Sequence, residues 1–122
     1  GDTYTAADGH EVDVPIAILV NENSASASEV FTGALKDYKK AVVVGTTSYG
    51  KGIVRNLIPL GDGSAIKITT AHYYTPSGFD LHGKGITPDV EVELDENLKS
   101  QSVVTPEEDN QVQAAMEALK EN

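Results

Sequence analysis

The sequence predicts an α/β fold made of a βαβ unit, a following β-hairpin and a C-terminal helix. Three observations carry this. Ile16-Ala17-Ile18-Leu19-Val20 and Ala41-Val42-Val43-Val44 are unbroken apolar runs rich in β-branched residues, the pattern of strands covered on both faces in a parallel sheet. Between them the pattern turns helical, with Val30, Phe31, Ala34, Leu35 and Tyr38 on one stripe. After them, two β-prone runs flank Gly61-Asp62-Gly63, a turn sequence.

Taken in order, residues 3–14 hold short β-like runs around Asp8-Gly9, whose tolerance of positive φ predicts a modest hairpin. Pro15 leads into the first buried strand, residues 16–20, and the helix is expected over 24–38. The second buried strand, 41–44, completes a unit with a right-handed crossover. Beyond the loop 45–52, residues 53–60 and 64–75 are the expected arms of a hairpin, with Ile66, Ile68, Thr70, His72 and Tyr74 on one face of the second arm. Pro76-Ser77-Gly78 ends that arm, Gly83, Gly85 and Pro88 keep the next stretch irregular, and residues 90–94 suit a last short strand. Residues 95–109 read as an acidic surface connection. From Asn110, Val112, Ala115, Met116 and Leu119 recur at helical spacing and predict a helix packed by that stripe.

With 122 residues and 39% apolar content, the chain suits one small domain and not two. Its 19 acidic against 9 basic residues give a formal charge of −10, with no basic cluster, which argues against a nucleic-acid partner. The absence of cysteine excludes disulfides, thiolate metal sites and cysteine nucleophiles. No apolar run approaches the roughly 20 residues that span a bilayer. The start, Gly1-Asp2-Thr3-Tyr4, has neither an initiator Met nor a signal segment, so the chain reads as a piece of a longer protein.

Two segments could carry chemistry. Asn21-Glu22-Asn23-Ser24-Ala25-Ser26-Ala27-Ser28-Glu29 joins a buried strand directly to a helix, where a serine hydroxyl can face a cleft and first-turn N–H groups can stabilise an oxyanion. Ser26 and Glu29 also satisfy the S-x-x-E capping box, in which the hydroxyl only caps the helix, and locally that reading stands ahead. Gly45-Thr46-Thr47-Ser48-Tyr49-Gly50-Lys51-Gly52 almost spells the phosphate-cradling G-x-x-x-x-G-K-[ST]. Against it, Gly52 stands where a hydroxyl would bind Mg²⁺, and the β-like run after it offers no helix N-terminus. A lone lysine between glycines is by default a solvated charge. The βαβ unit, however, brings Ser26 and Lys51 to one end of the sheet. His10, His72 and His82 are too scattered in sequence to suggest a metal site, and no cofactor is implied.

The ordered motifs Ser24-Ala25-Ser26-Ala27-Ser28-Glu29, Tyr49-Gly50-Lys51-Gly52, Tyr73-Tyr74-Thr75-Pro76-Ser77-Gly78 and Gly83-Lys84-Gly85-Ile86-Thr87-Pro88-Asp89-Val90, with 25 residues from Ser26 to Lys51, resemble the carboxy-terminal processing peptidases (tail-specific proteases, serine peptidase family S41). The resemblance covers residues 15–94, with 95–122 an acidic connection and C-terminal helix. It implies a crotonase-like or ClpP-like layered α/β core, of which 1–122 is a part, and a serine endopeptidase acting on C-terminal regions of protein or peptide substrates. It makes Ser26 the nucleophile and Lys51 the base; by its position next to Ser26, the Ala27 N–H is a candidate oxyanion donor. A lysine can take that proton only as a neutral amine, far from its usual pKa of about 10.4. The family's PDZ domain and glycine-rich oxyanion segment lie upstream and are not in this chain, so little proteolysis is expected of the 122 residues alone. The resemblance also implies an extracytoplasmic or membrane-associated parent and leaves homo-oligomerisation open.

One departure stands out. Relatives often have a glutamine four residues after the lysine, and here that position is Arg55, which cannot accept a hydrogen bond from an amine. Asp37 matches an acidic residue of some relatives, though a solvated helix-surface role is expected. Two other readings stay open, a non-catalytic binding scaffold of the same fold and a P-loop-like nucleotide-binding module on residues 45–51.

Overall fold

The computed structural model describes Thr5, Gly9, His10 and residues 12–121. The hairpin expected around Asp8-Gly9 lies largely outside the described residues. The order of elements is β1 (Ala17–Val20), α1 (Ala27–Asp37), β2 (Val42–Gly45), β3 (Ile53–Pro59), β4 (Ala65–His72), β5 (Val90–Glu91), α2 (Glu96–Lys99) and α3 (Asn110–Lys120).

The apolar runs form β1 and β2, paired in parallel with Ala17 opposite Val42 and Val20 opposite Gly45, and joined through α1 as a βαβ unit. β5 adds in parallel on the other side of β2, giving the order β1-β2-β5. Val43 and Val44 of the central strand are fully buried on alternate faces. α3 covers the face that holds Val44, with Ala115 and Ala118 against it and Ala17, Val42 and Val92 around them. β1 departs from the expectation of a strand covered on both faces, since its Leu19 remains 43% exposed; among the described residues it is also an edge strand.

α1 buries a different face from the predicted stripe, whereas α3 keeps Val112, Ala115 and Leu119 of its stripe at least half-buried and turns only Met116 out. In α1, Phe31 is 62% exposed and Tyr38 lies outside, while Glu29, Thr32 and Gly33 face inward. The reason is close approach, since a Cβ on Gly33 would sit 2.7 Å from Thr75 Cγ2 and larger residues cannot occupy that contact. α3 turns Ala115 and Ala118 to the sheet and leaves Met116 outside, because small side chains let its backbone settle on the valines. Asp109 caps α3, accepting from the N–H groups of Gln111 at 2.8 Å and Val112 at 3.2 Å. Within the expected surface connection, residues 96–99 form the short helix α2.

β3 and β4 form the expected antiparallel hairpin around Gly61 and Gly63, with Ile58 opposite Ile66. A register break follows Val54, so that Arg55 opposes Thr69 while Val54 opposes Ala71, leaving Thr70 as the extra residue. The bulge separates residues expected to share a face. Ile66 and Ile68 stay on one side, whereas His72, opposite Ile53, falls on the side of Ile53 and Arg55. Tyr74 lies beyond β4, bridged to Asp80.

Candidate functional site

Two loops leave the same end of the parallel sheet, residues 21–26 after β1 and 46–52 after β2. They are fastened together by the Tyr49 N–H donating to the Ser24 carbonyl at 2.9 Å. The first loop is wound tightly, with the Asn23 N–H on Asn21 Oδ1 and the Asn21 N–H on Ser24 Oγ. It ends at Ser26, half-buried, with φ 59° and ψ −119°.

That backbone conformation is the first central position of a type II′ turn, a place glycine normally takes. For a residue with a Cβ it costs about 1–3 kcal/mol and persists only where surrounding structure enforces it. An ordinary N-cap residue sits in the extended region instead. The corner between β1 and α1 is therefore a strained strand-to-helix turn, and the Ser26–Glu29 capping box expected from the sequence is present in it. The Ala27 N–H follows at the first position of α1, where a helix has no acceptor of its own to offer.

Glu29 provides the enforcement. Its side chain is 1% exposed and collects donors from both loops. Oε2 accepts from the Ser26 N–H at 2.9 Å and the Lys51 N–H at 2.8 Å; Oε1 accepts from Ser48 Oγ at 2.6 Å and from the Gly50 N–H. Burial by itself would raise the carboxyl's pKa, but the bonds from Ser48, Gly50, Lys51 and Ser26 outweigh it and hold Glu29 below the usual carboxylate value. Sequence reasoning recognised Glu29 only as the partner of a capping box. That box marks the residue, yet its contacts with the second loop are 19 to 22 positions away and carry no local signal.

The same bonds bear on the phosphate-loop reading. The N–H groups of Gly50 and Lys51, which would cradle a phosphate, are occupied by an internal carboxylate. Residues 53–59 are a strand, so the loop does not run into a helix N-terminus. Ser48 instead locks the loop to the next segment, accepting from the Ile86 N–H at 2.7 Å while its own N–H donates to the Ile86 carbonyl.

Lys51 is exposed at the edge of an open cleft of about 500 Å³ whose lining includes Asn23, Tyr49, Ile53, Arg55 and His82. Ser26 and Lys51 thus meet through their backbones at one carboxylate oxygen. Asp37 stays at the helix surface as expected, and there it anchors the turn after Tyr74 by accepting from the Ser77 N–H at 2.9 Å. Bonds from Thr75 and Ser77 hold its carboxyl below the usual range. The histidines are less scattered than the sequence suggests. The His72 and His82 rings stand edge to face at 5.6 Å, and His72 Nδ1 lies 3.9 Å from Asp80. Among the described residues no group of three or more His, Cys, Asp or Glu is arranged to hold a metal ion.

Comparison with known proteins follows the same motifs. The description "Peptidase family S41" matches residues 2–92. The chain is 52% identical over 95 residues to a carboxy-terminal-processing protease of Bartonella bacilliformis, covering 76% of this chain and 22% of that protein. It is 58% identical over 80 residues to a CtpA-like serine protease of Staphylococcus epidermidis, covering 66% and 16%. Among solved structures, the photosystem II D1 C-terminal processing protease superposes with a TM-score of 0.63 at 44% identity, over 65% of this chain and 20% of that one. A Bacteroides fragilis protein assigned as an S41 protease shares the fold, with a TM-score of 0.66 at 18% identity over 88% of this chain and 28% of that one. The chain spans about a fifth of the length of the curated relatives it matches. With that family description running through three quarters of its length and through both loops of the site, the chain belongs to peptidase family S41.

Proposed function

We propose that the protein carrying this chain is a serine endopeptidase that processes C-terminal regions of protein or peptide substrates, with Ser26 as nucleophile and Lys51 as general base. The observation that carries the reading is the strained corner at Ser26 held to the Lys51 loop through Glu29. In the reaction, Ser26 Oγ attacks the scissile carbonyl carbon and gives its proton to the Lys51 amine. The developing oxyanion takes a bond from the Ala27 N–H, and Lys51 returns the proton to the departing amine. Water then attacks the acyl-enzyme, passing its proton through Lys51 back to Ser26 Oγ as the carboxylic acid product leaves.

The three-stranded parallel sheet with α3 on one face supports a layered core of the crotonase or ClpP type. A second oxyanion donor and a PDZ domain are assigned to the remainder of the parent protein, in an extracytoplasmic or membrane-associated setting, and the 122 residues alone are expected to cleave little. Arg55, at the position where relatives often carry glutamine, favours a second reading as a non-catalytic binding scaffold.

One assay separates the two. The full-length protein is incubated with an unfolded protein substrate beside its Ser26→Ala and Lys51→Ala variants. Cleavage by the wild type, with each variant at least a hundredfold slower, supports the protease. Cleavage that survives Ser26→Ala sinks the assignment, and an inert wild type supports the scaffold.

A further inference from the structure

The cleft beside Lys51 differs in charge from the rest of the chain. Acidic residues outnumber basic ones 19 to 9, yet none of the described residues lining this cleft is Asp or Glu. It presents Lys51, Arg55 and His82, framed by the Asn23 amide and the Tyr49 phenol. Arg55 is exposed, and among the described residues neither it nor Lys51 has an ion-pair partner. Three of the other cations are engaged, Lys36 with Asp89, Lys99 with Glu96 and Lys120 with Glu117. Alternation along β3 sets Arg55 on the side of Ile53, to which the register break brings His72, facing the cleft and away from the Ile58, Ile66 and Ile68 side.

A guanidinium offers a rigid fork of donors that matches a carboxylate, and unlike lysine it does not lose its charge. The geometry points to Arg55 as a specificity residue that receives a carboxylate of the substrate, either an Asp or Glu side chain near the scissile bond or the free C-terminus itself. The inference rests on the protease reading for its setting. An arginine at this position cannot accept a bond from the Lys51 amine, so it serves the substrate and not the base. The acidic body around an acid-free cleft also favours a carboxylate in this cleft over the acidic surface beside it.

The test uses the full-length protein and two series of peptides. In one, Asp is exchanged for Asn beside the scissile bond; in the other, a free C-terminus is exchanged for an amide. The expected result is a kcat/KM about tenfold higher for the carboxylate in one series, the size of a charge-assisted pair only partly removed from water. The series that responds identifies the source. Arg55→Gln is expected to bring the ratio to about one, and Arg55→Glu to reverse it in favour of Lys-substituted peptides. A ratio near one in both wild-type series, or one untouched in both variants, overturns the inference. The same peptides are titrated into Ser26→Ala protein by fluorescence anisotropy. A carboxylate preference that depends on Arg55 there supports the inference even if turnover is absent, whereas an absent preference there overturns it even if Ser26-dependent cleavage is intact.

Discussion

The backbone N–H groups of Ser26 and Lys51, 25 positions apart in sequence, both point at Oε2 of Glu29, at 2.9 and 2.8 Å. One buried carboxylate therefore fixes the distance between the two loops that carry the proposed chemistry. It also compensates the strain at Ser26, whose N–H it holds while φ stays positive.

Removing that charge should loosen both loops together. Glu29→Gln places amide hydrogens against at least one of the N–H or O–H donors, leaving buried groups unpaired at a cost of about 2–4 kcal/mol. Urea unfolding is expected to show this loss, and an unchanged midpoint would disprove the central role of Glu29.

Acid should act on the same site. Glu29 is held below its unfolded value of 4.5, and Asp37 below 3.8, by bonds that are stronger to the ionised forms. Both carboxylates therefore contribute stability that is fully present above those values and is lost as pH falls through the lower folded pKa of each. Thermal melts are expected to drop steeply on acidification below about pH 4.5, and less steeply in Glu29→Gln. Parallel curves for the two proteins would contradict the assignment.

The corner at Ser26 is where stability and proposed function oppose each other. Ser26→Gly removes the Cβ that makes φ 59° costly, at the loss of only a few tenths of a kcal/mol in capping. A gain of about 1 kcal/mol in stability is expected together with loss of cleavage. A destabilised Ser26→Gly would mean that the corner is not strained.

Two glycines with similar backbones should respond very differently to alanine. At Gly85, φ is +75° and a Cβ would stand 2.2 Å from the Ser48 carbonyl oxygen; at Gly61, φ is +84° and nothing lies within 4 Å. Gly85→Ala is expected to cost about 2–4 kcal/mol, and Gly61→Ala about 1 kcal/mol. Chemical denaturation of both variants decides this, and equal losses would show that the Ser48 contact is unimportant.

Much of the frame was legible in the residues. Unbroken valine and isoleucine runs are stable only when paired inside a sheet, and their separation by a helical stretch leaves a parallel βαβ unit as the economical arrangement. The glycine turn made the hairpin, and the spacing of Ser26, Lys51 and the later motifs marked the family. The bulge at Thr70 and the helix at 96–99 were not legible, because each reflects pairing and packing elsewhere in the chain.

The sequence by itself determined the two paired apolar strands, the two long helices and the hairpin, and which two residues stand at the loop ends of the sheet. Only the tertiary structure decided how the helix faces settle, turning Gly33 and Ala118 inward and leaving Phe31, Tyr38 and Met116 outside. It also decided that Glu29, apparently a helix cap, is the anion that both loops share. The physical reason is common to both. Periodicity reports that a helix has an apolar side, but the face chosen depends on how closely backbones can approach and on which buried donors must find an acceptor, and those conditions are set by residues distant in the chain.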